Sequence, residues 1–205
     1  KLTMVATDGR RLALAEEDVE LNDDNPLEVI VPTKAIQELS RSLGDKGDVE
    51  IQITENQVSF GLKENDGTGS LIVSKLVEGA YPNYKQVIPA ESKHRVTLDK
   101  EELFHALRRA EIMTSEKANS VKLTFSENNL TFTANSPEVG ESRETMAIKY
   151  EGEETSIAFN PQFFIDPLKA LEEDEVHFEF TDQLSPGVVK VKHPFLYVIM
   201  PMRTS

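Results

Sequence analysis

The 205-residue sequence predicts an α+β fold made of antiparallel sheets with short helices packed on one side. Two observations carry this expectation. The first is an internal repeat: DVEIQITENQVSFGL (Asp48 to Leu62) and SVKLTFSENNLTFTA (Ser120 to Ala134) share an alternating strand, a Thr/Ser-Glu-Asn turn and a second alternating strand. EVHFEFTDQLSPGVVKV (Glu175 to Val191) follows the same plan with a looser turn around Thr181-Asp182-Gln183 and an inserted Pro186-Gly187. The second observation is that a helical segment of similar length precedes each hairpin.

Taken in chain order, KLTMVATDGRRLALAEED alternates like a hairpin around an Asp8-Gly9 turn. It has no initiator Met, and the chain reads as the C-terminal part of something longer. PTKAIQELSRSL is the first helix, opened by Pro32 or Thr33, with Ile36, Leu39 and Leu43 as its apolar stripe. In the hairpin that follows, Val49, Ile51 and Ile53 form the face expected to be buried. GSLIVSKLVEG adds a strand, and a domain boundary is placed near Ala90, giving domains 1–89 and 90–205.

DKEELFHALRRAEIM is the second helix, capped by Asp99, with Leu103, Leu107 and Ala110 inward. Val121, Leu123 and Phe125 mark the buried face of the hairpin after it, and ETMAIKYEGEETSIAF supplies further strand. The third helix, NPQFFIDPLKAL, begins at Asn160 with Pro161 in the first turn and directs Phe164, Leu168 and Leu171 to the core. FLYVIM is the last strand. Opposite the three stripes, about 140 to 160° away for Lys34 and Arg41, stand Lys34, Arg41, Arg108 and Lys169.

Composition narrows the function. Twenty-two basic against 36 acidic side chains leave a net charge of -14, which argues against a protein that simply coats nucleic acid. The absence of cysteine removes disulfides and thiolates and points to a cytoplasmic location. Four scattered histidines form no metal motif, and the acid pairs Glu16-Glu17, Asp23-Asp24 and Glu172-Glu173 fall in turns and helix ends. ENDGTGS lacks the lysine of a phosphate-binding loop. No cofactor, metal or catalytic residue is expected, and an enzyme is disfavoured.

VATDGRRLAL, VIVPTKAIQEL, SKLVEGAYPNYKQVIP, LTFTANSPE and the terminal YVIMPMR occur in an order and spacing that resembles the bacterial DNA polymerase III β subunit, the sliding clamp. The resemblance covers the whole chain as the later part of the second domain and all of the third. It implies a DNA-clamp fold: a head-to-tail homodimeric ring of similar domains whose helices line a central channel around duplex DNA. The ring serves as a non-catalytic processivity factor without membrane contact. Lys34 then matches a basic channel position, and Arg41, Arg108 and Lys169 become further channel candidates.

The same resemblance implies a hydrophobic groove for short linear peptides of polymerase, clamp loader and repair proteins. Its walls map onto Thr7, Gly9, Arg10, Arg11, Leu12, Pro82 and Val87, and onto Asn160, Phe163, Leu184, Pro186, Val198, Met200, Pro201, Met202 and Arg203. Gln86 stands where arginine is common and Phe163 where tyrosine often sits. Pro186 replaces a small polar residue, and Thr204-Ser205 follow Arg203 where the chain often ends on leucine. Ile112 and Met113 match subunit-interface positions, with Glu138, Glu141 and Glu144 as charged partners for a neighbouring subunit. The alternative is a β-rich interaction or ligand-binding module unrelated to DNA, which the acidic charge alone would suggest.

Overall fold

The structure is a computed structural model and describes residues 1–20, 27–44, 46–63, 69–114, 119–137 and 140–203. Glu138, Asp23-Asp24, most of the glycine-rich ENDGTGS segment and Thr204-Ser205 lie outside the described residues. The elements in chain order are β1 (Leu2–Thr7), β2 (Arg11–Glu17), α1 (Thr33–Ser42), β3 (Asp48–Ile53), β4 (Gln57–Lys63), β5 (Gly69–Lys75), a 3₁₀ turn (Tyr84–Val87), β6 (His94–Asp99), α2 (Lys100–Ile112), β7 (Val121–Ser126), β8 (Asn129–Ser136), β9 (Gly140–Ala147), β10 (Thr155–Phe159), α3 (Pro161–Ala170), β11 (Glu175–Phe180), β12 (Gly187–Lys190) and β13 (Phe195–Ile199). They fall into two compact units, one of Lys1–Leu21 with Tyr84–Ser205 and the other of Asn22–Asn83.

In the larger unit a six-stranded antiparallel sheet runs β1-β2-β13-β12-β11-β6, and a four-stranded antiparallel sheet runs β10-β7-β8-β9. The expected stripes of α2 and α3 are all buried, and the two helices pack on each other. Both start as the sequence dictates. The Asp99 carboxylate accepts from the Glu102 N–H at 2.8 Å, and the Asn160 side chain accepts from the Gln162 N–H at 3.0 Å, each cap contributing about 1 kcal/mol. Between the sheets lies an aromatic centre in which Phe125 stacks on Phe180 at 4.2 Å and Phe178 packs against Phe164 at 5.2 Å. Turn chemistry closes the β7–β8 hairpin, with Asn128 in the left-handed region at φ 54°.

The smaller unit holds α1 and the sheet β3-β4-β5 around Leu39, Val58, Phe60 and Leu62. Two expectations are corrected here. Ile51 and Ile53 are 41% and 37% exposed, because β3 is an edge strand and α1 packs toward β5, so that only Val49 of this face packs against the cluster. Leu43 is exposed as well, since α1 ends at Ser42 and Leu43 turns to extended backbone at ψ 127°.

Candidate functional site

The site is built outward from the turn at Asp8-Gly9. The Asp8 carboxylate accepts from the N–H groups of Arg10 and Arg11 at 3.0 and 3.1 Å, and Thr7 Oγ1 donates to the Arg11 carbonyl at 2.8 Å. Gly9 sits at φ +83°, a conformation that a side chain would strain, so this turn requires glycine. The effect of the turn is to aim Arg11. Its guanidinium donates to Asp8 at 2.9 Å, to Asp166 of α3 at 2.5 Å and to the Tyr197 hydroxyl of β13 at 3.3 Å, and it lies over the Phe163 ring. Gln162 donates to the same Asp166 carboxylate.

This network sets the local electrostatics. Burial raises the Asp166 carboxyl, but hydrogen bonds from Arg11 and Gln162 outweigh it and hold the group below the usual carboxylate range. For Asp8 burial likewise raises, and the donors at Arg10 and Arg11 prevail, so it too is lowered. Burial opposes the charge on Arg11, yet Asp166 and Asp8 raise its pKa further above an already high value. Burial pushes the Tyr197 phenol up. The network therefore holds Asp8, Asp166 and Arg11 as fixed charges.

Beside the network runs an apolar row. Val198 of β13 stands opposite Leu12 of β2 on one side and opposite Val188 of β12 on the other. All three are buried yet lie outside the main core cluster, because the alternation of each strand turns them to the opposite sheet face from Tyr197 and Val189. Past β13 the Met200 N–H donates to the Arg10 carbonyl at 2.9 Å, and the Met202 N–H donates to the Ala158 carbonyl at 2.7 Å, two residues before Asn160. The terminal segment is thus pinned on both sides, with Met200 39% exposed, Pro201 and Met202 half-buried and Arg203 exposed.

The β11–β12 loop supplies Leu184, which is 66% exposed, and Pro186 immediately before Gly187, the partner of Ile199. Asp182 holds this loop by accepting from the N–H groups of Leu184 and Ser185 at 2.9 and 2.8 Å. Val87 is exposed on the 3₁₀ turn, and Pro82 belongs to the smaller unit. The arrangement combines a buried apolar strip, an exposed Met200 beyond its end and, on the opposite sheet face, a rigidly held arginine.

The sequence of the chain matches two family models, the central domain of the DNA polymerase III beta subunit over residues 1–83 and its C-terminal domain over residues 85–203. The chain belongs to the DNA polymerase III beta subunit family. Among curated sliding-clamp relatives, that of Chlamydia pneumoniae is 38% identical over 201 residues, covering 98% of this chain and 54% of the relative. The Bacillus subtilis clamp is 34% identical over 210 residues, covering 100% and 54%.

Among solved structures, the beta subunit of Pseudomonas aeruginosa superposes with a TM-score of 0.89 at 33% identity, covering 98% of this chain and 54% of that one. The same organism's clamp bound to griselimycin gives 0.90 at 33% identity, with the same coverage. The chain spans about half the length of the curated relatives it matches.

Lys34 on α1 and Lys169 on α3 are exposed, with no ion pair among the described residues. Arg41 and Arg108 are exposed and each held at 2.7 Å, by Glu38 and Glu111. Ile112 is 72% exposed at the end of α2, whereas Met113 packs partly against the core. Glu144 on β9 is bound within the chain by Arg109 at 2.7 Å, and Glu141 on the same strand is exposed.

Sequence reasoning missed Asp8, Gln162, Asp166, Tyr197 and Val188. Asp166 reads in sequence as a solvated helix acid, and only its spacing one turn and a half beyond the Asn160 cap hinted at its place near the site. Val188 carries no local signal, since its role follows from pairing with a strand ten residues later.

Proposed function

We propose that this chain is part of a bacterial sliding clamp, a non-catalytic processivity factor acting in the cytoplasm, and that the strip along Leu12, Val198 and Val188 receives short linear peptides of polymerase, clamp loader and repair proteins. The carrying observation is that this apolar row, buried but outside the main core cluster, lies on the sheet face away from Tyr197 and Val189 and runs in register toward Met200, two residues beyond Val198 and 39% exposed. Methionine is unbranched and polarizable, so a Met200-Pro201-Met202 lip adapts to several related peptides. Arg11 is spoken for by two carboxylates and a ring, so its role is to hold the wall in shape. The solved griselimycin complex of the Pseudomonas aeruginosa relative supports a ligand-accepting surface in this family.

Lys34, Arg41, Arg108 and Lys169 are proposed to face duplex DNA in an assembled homodimeric ring, with Ile112, Met113, Glu141 and Glu144 at the subunit contact. Retention by encirclement needs few phosphate contacts, which reconciles DNA with a net charge of -14. Two of the four cations are already partly neutralised by Glu38 and Glu111, consistent with weak contacts that permit sliding.

The test is fluorescence anisotropy with a labelled pentapeptide of the Gln-Leu-x-Leu-Phe type. Saturable binding near 1 μM, on the order of 8 kcal/mol, is expected, weakened about tenfold or more in Met200→Ala and Leu12→Ala. Absence of binding by the folded chain, or affinity unchanged in both variants, would overturn the assignment.

A further inference from the structure

A second surface lies beside the β11–β12 loop. A depression of about 480 Å³ is lined by Lys93, His94, Arg95, Lys149, Tyr150 and Glu151 among others. Among the lining residues three full cations and a histidine face one carboxylate, with Asp182 also in electrostatic reach of Lys93, in a chain whose overall charge is -14. Glu179 also approaches Arg95, at 3.8 Å, but it is held more closely by Lys190 at 2.6 Å, and Arg95 remains 59% exposed. The walls are rigid: the Tyr150 hydroxyl donates to the Glu153 carbonyl at 2.7 Å, and His94 packs against Phe180 at 5.1 Å. Local positive charge on a fixed, concave floor suits a small anion such as a carboxylate side chain.

The position of the depression identifies the partner. His94 pairs with Phe180 at the end of β11, and the Lys93 N–H donates to Thr181 Oγ1 at 3.3 Å. Thr181 opens the loop that carries Leu184 and Pro186, and two residues separate it from Leu184, a span of at most roughly 11 Å. A peptide lying against Leu184 thus needs only about three further residues to bring a side chain over Lys93. We propose that Lys93, Arg95 and Lys149 form an accessory subsite that binds acidic residues flanking the peptide anchored at the apolar strip. The proposal rests on the peptide-binding reading above. It assigns selectivity among partners to charge outside the anchor: partners with an acidic flank bind more tightly and faster.

The experiment compares the anchor pentapeptide extended by Gly-Ser repeats with the same peptide extended by Asp and Glu, at either end, on the wild-type chain and on a Lys93→Glu, Arg95→Glu, Lys149→Glu variant. The acidic extension is expected to tighten binding roughly three- to tenfold at low salt, a gain that shrinks as salt is raised and vanishes in the variant. The variant's affinity for the neutral peptide stays unchanged, which also shows that it is folded. Neutral-peptide binding with no acidic gain, or an equal gain in the variant, overturns the subsite while leaving the strip intact. A variant that alters affinity for duplex DNA and leaves the acidic gain in place assigns the patch to DNA and overturns it too. Failure of the neutral peptide to bind the wild-type chain removes both readings.

Discussion

The guanidinium of Arg11 lies 4.7 Å from the centroid of the Phe163 ring, joining the tip of the β1–β2 hairpin to the first turn of α3. Asp166, Asp8 and Tyr197 hold it there. Replacing Arg11 by alanine removes the charged donor from two carboxylates, leaving Asp8 its backbone N–H donors and Asp166 the Gln162 donor, and frees the ring; it is expected to cost on the order of 1–3 kcal/mol in chemical denaturation. Arg11→Lys should recover less than half, because an ammonium neither forks between carboxylates nor stacks flat on phenylalanine. Full recovery by lysine would show that charge alone matters.

Acid should act through the same residues. Asp166 and Asp8 are both lowered in the folded chain from an ordinary value of 3.8. A depressed folded pKa stabilises fully above the unfolded value and is lost as pH falls through the folded one. Stability is therefore expected to hold from neutral pH to about 5 and to fall below about 4, with a shallower acid slope in Asp166→Asn. Urea midpoints across this range measure it, and an identical slope in the variant would separate Asp166 from the effect.

Gly187 has a packing role independent of the site's charges. A Cβ there would meet the Phe178 ring at 2.5 Å and the Phe159 ring at 3.1 Å, both buried in the aromatic centre. Gly187→Ala should cost about 1–3 kcal/mol by calorimetry, whereas Gly61→Ala, with its nearest neighbour at 3.7 Å, should cost about 1 kcal/mol or less.

The cations on the helices separate by their partners. In the proposed homodimeric ring, which carries each residue twice, Lys34→Ala and Lys169→Ala should each lower the salt slope of DNA affinity by up to about 2, and Arg41→Ala by less, because Glu38 already holds that arginine at 2.7 Å. Salt titrations of ring retention on DNA measure this, with peptide affinity expected to stay constant.

Local patterning made much of the fold legible. Asp99 and Asn160-Pro161 announce helix starts by side-chain chemistry, and the alternation in Val121, Leu123 and Phe125 reports a buried face that the structure contains. The same alternation in Val49, Ile51 and Ile53 misled, because periodicity records which face is apolar and not whether another element covers it. The resemblance named Leu12 and Val198 without their neighbour Val188, and gave Arg11 without the Asp166 that fixes it. Both omissions are pairings between distant parts of the chain, which no local period encodes.

The most direct measurement is a crystal structure of the chain soaked with the Gln-Leu-x-Leu-Phe peptide. The peptide's leucine and phenylalanine side chains are expected against Leu12, Val198 and Val188, with Met200 and Met202 reshaped around them. Peptide seated elsewhere on the chain, with that strip empty at saturating ligand, would contradict the assignment.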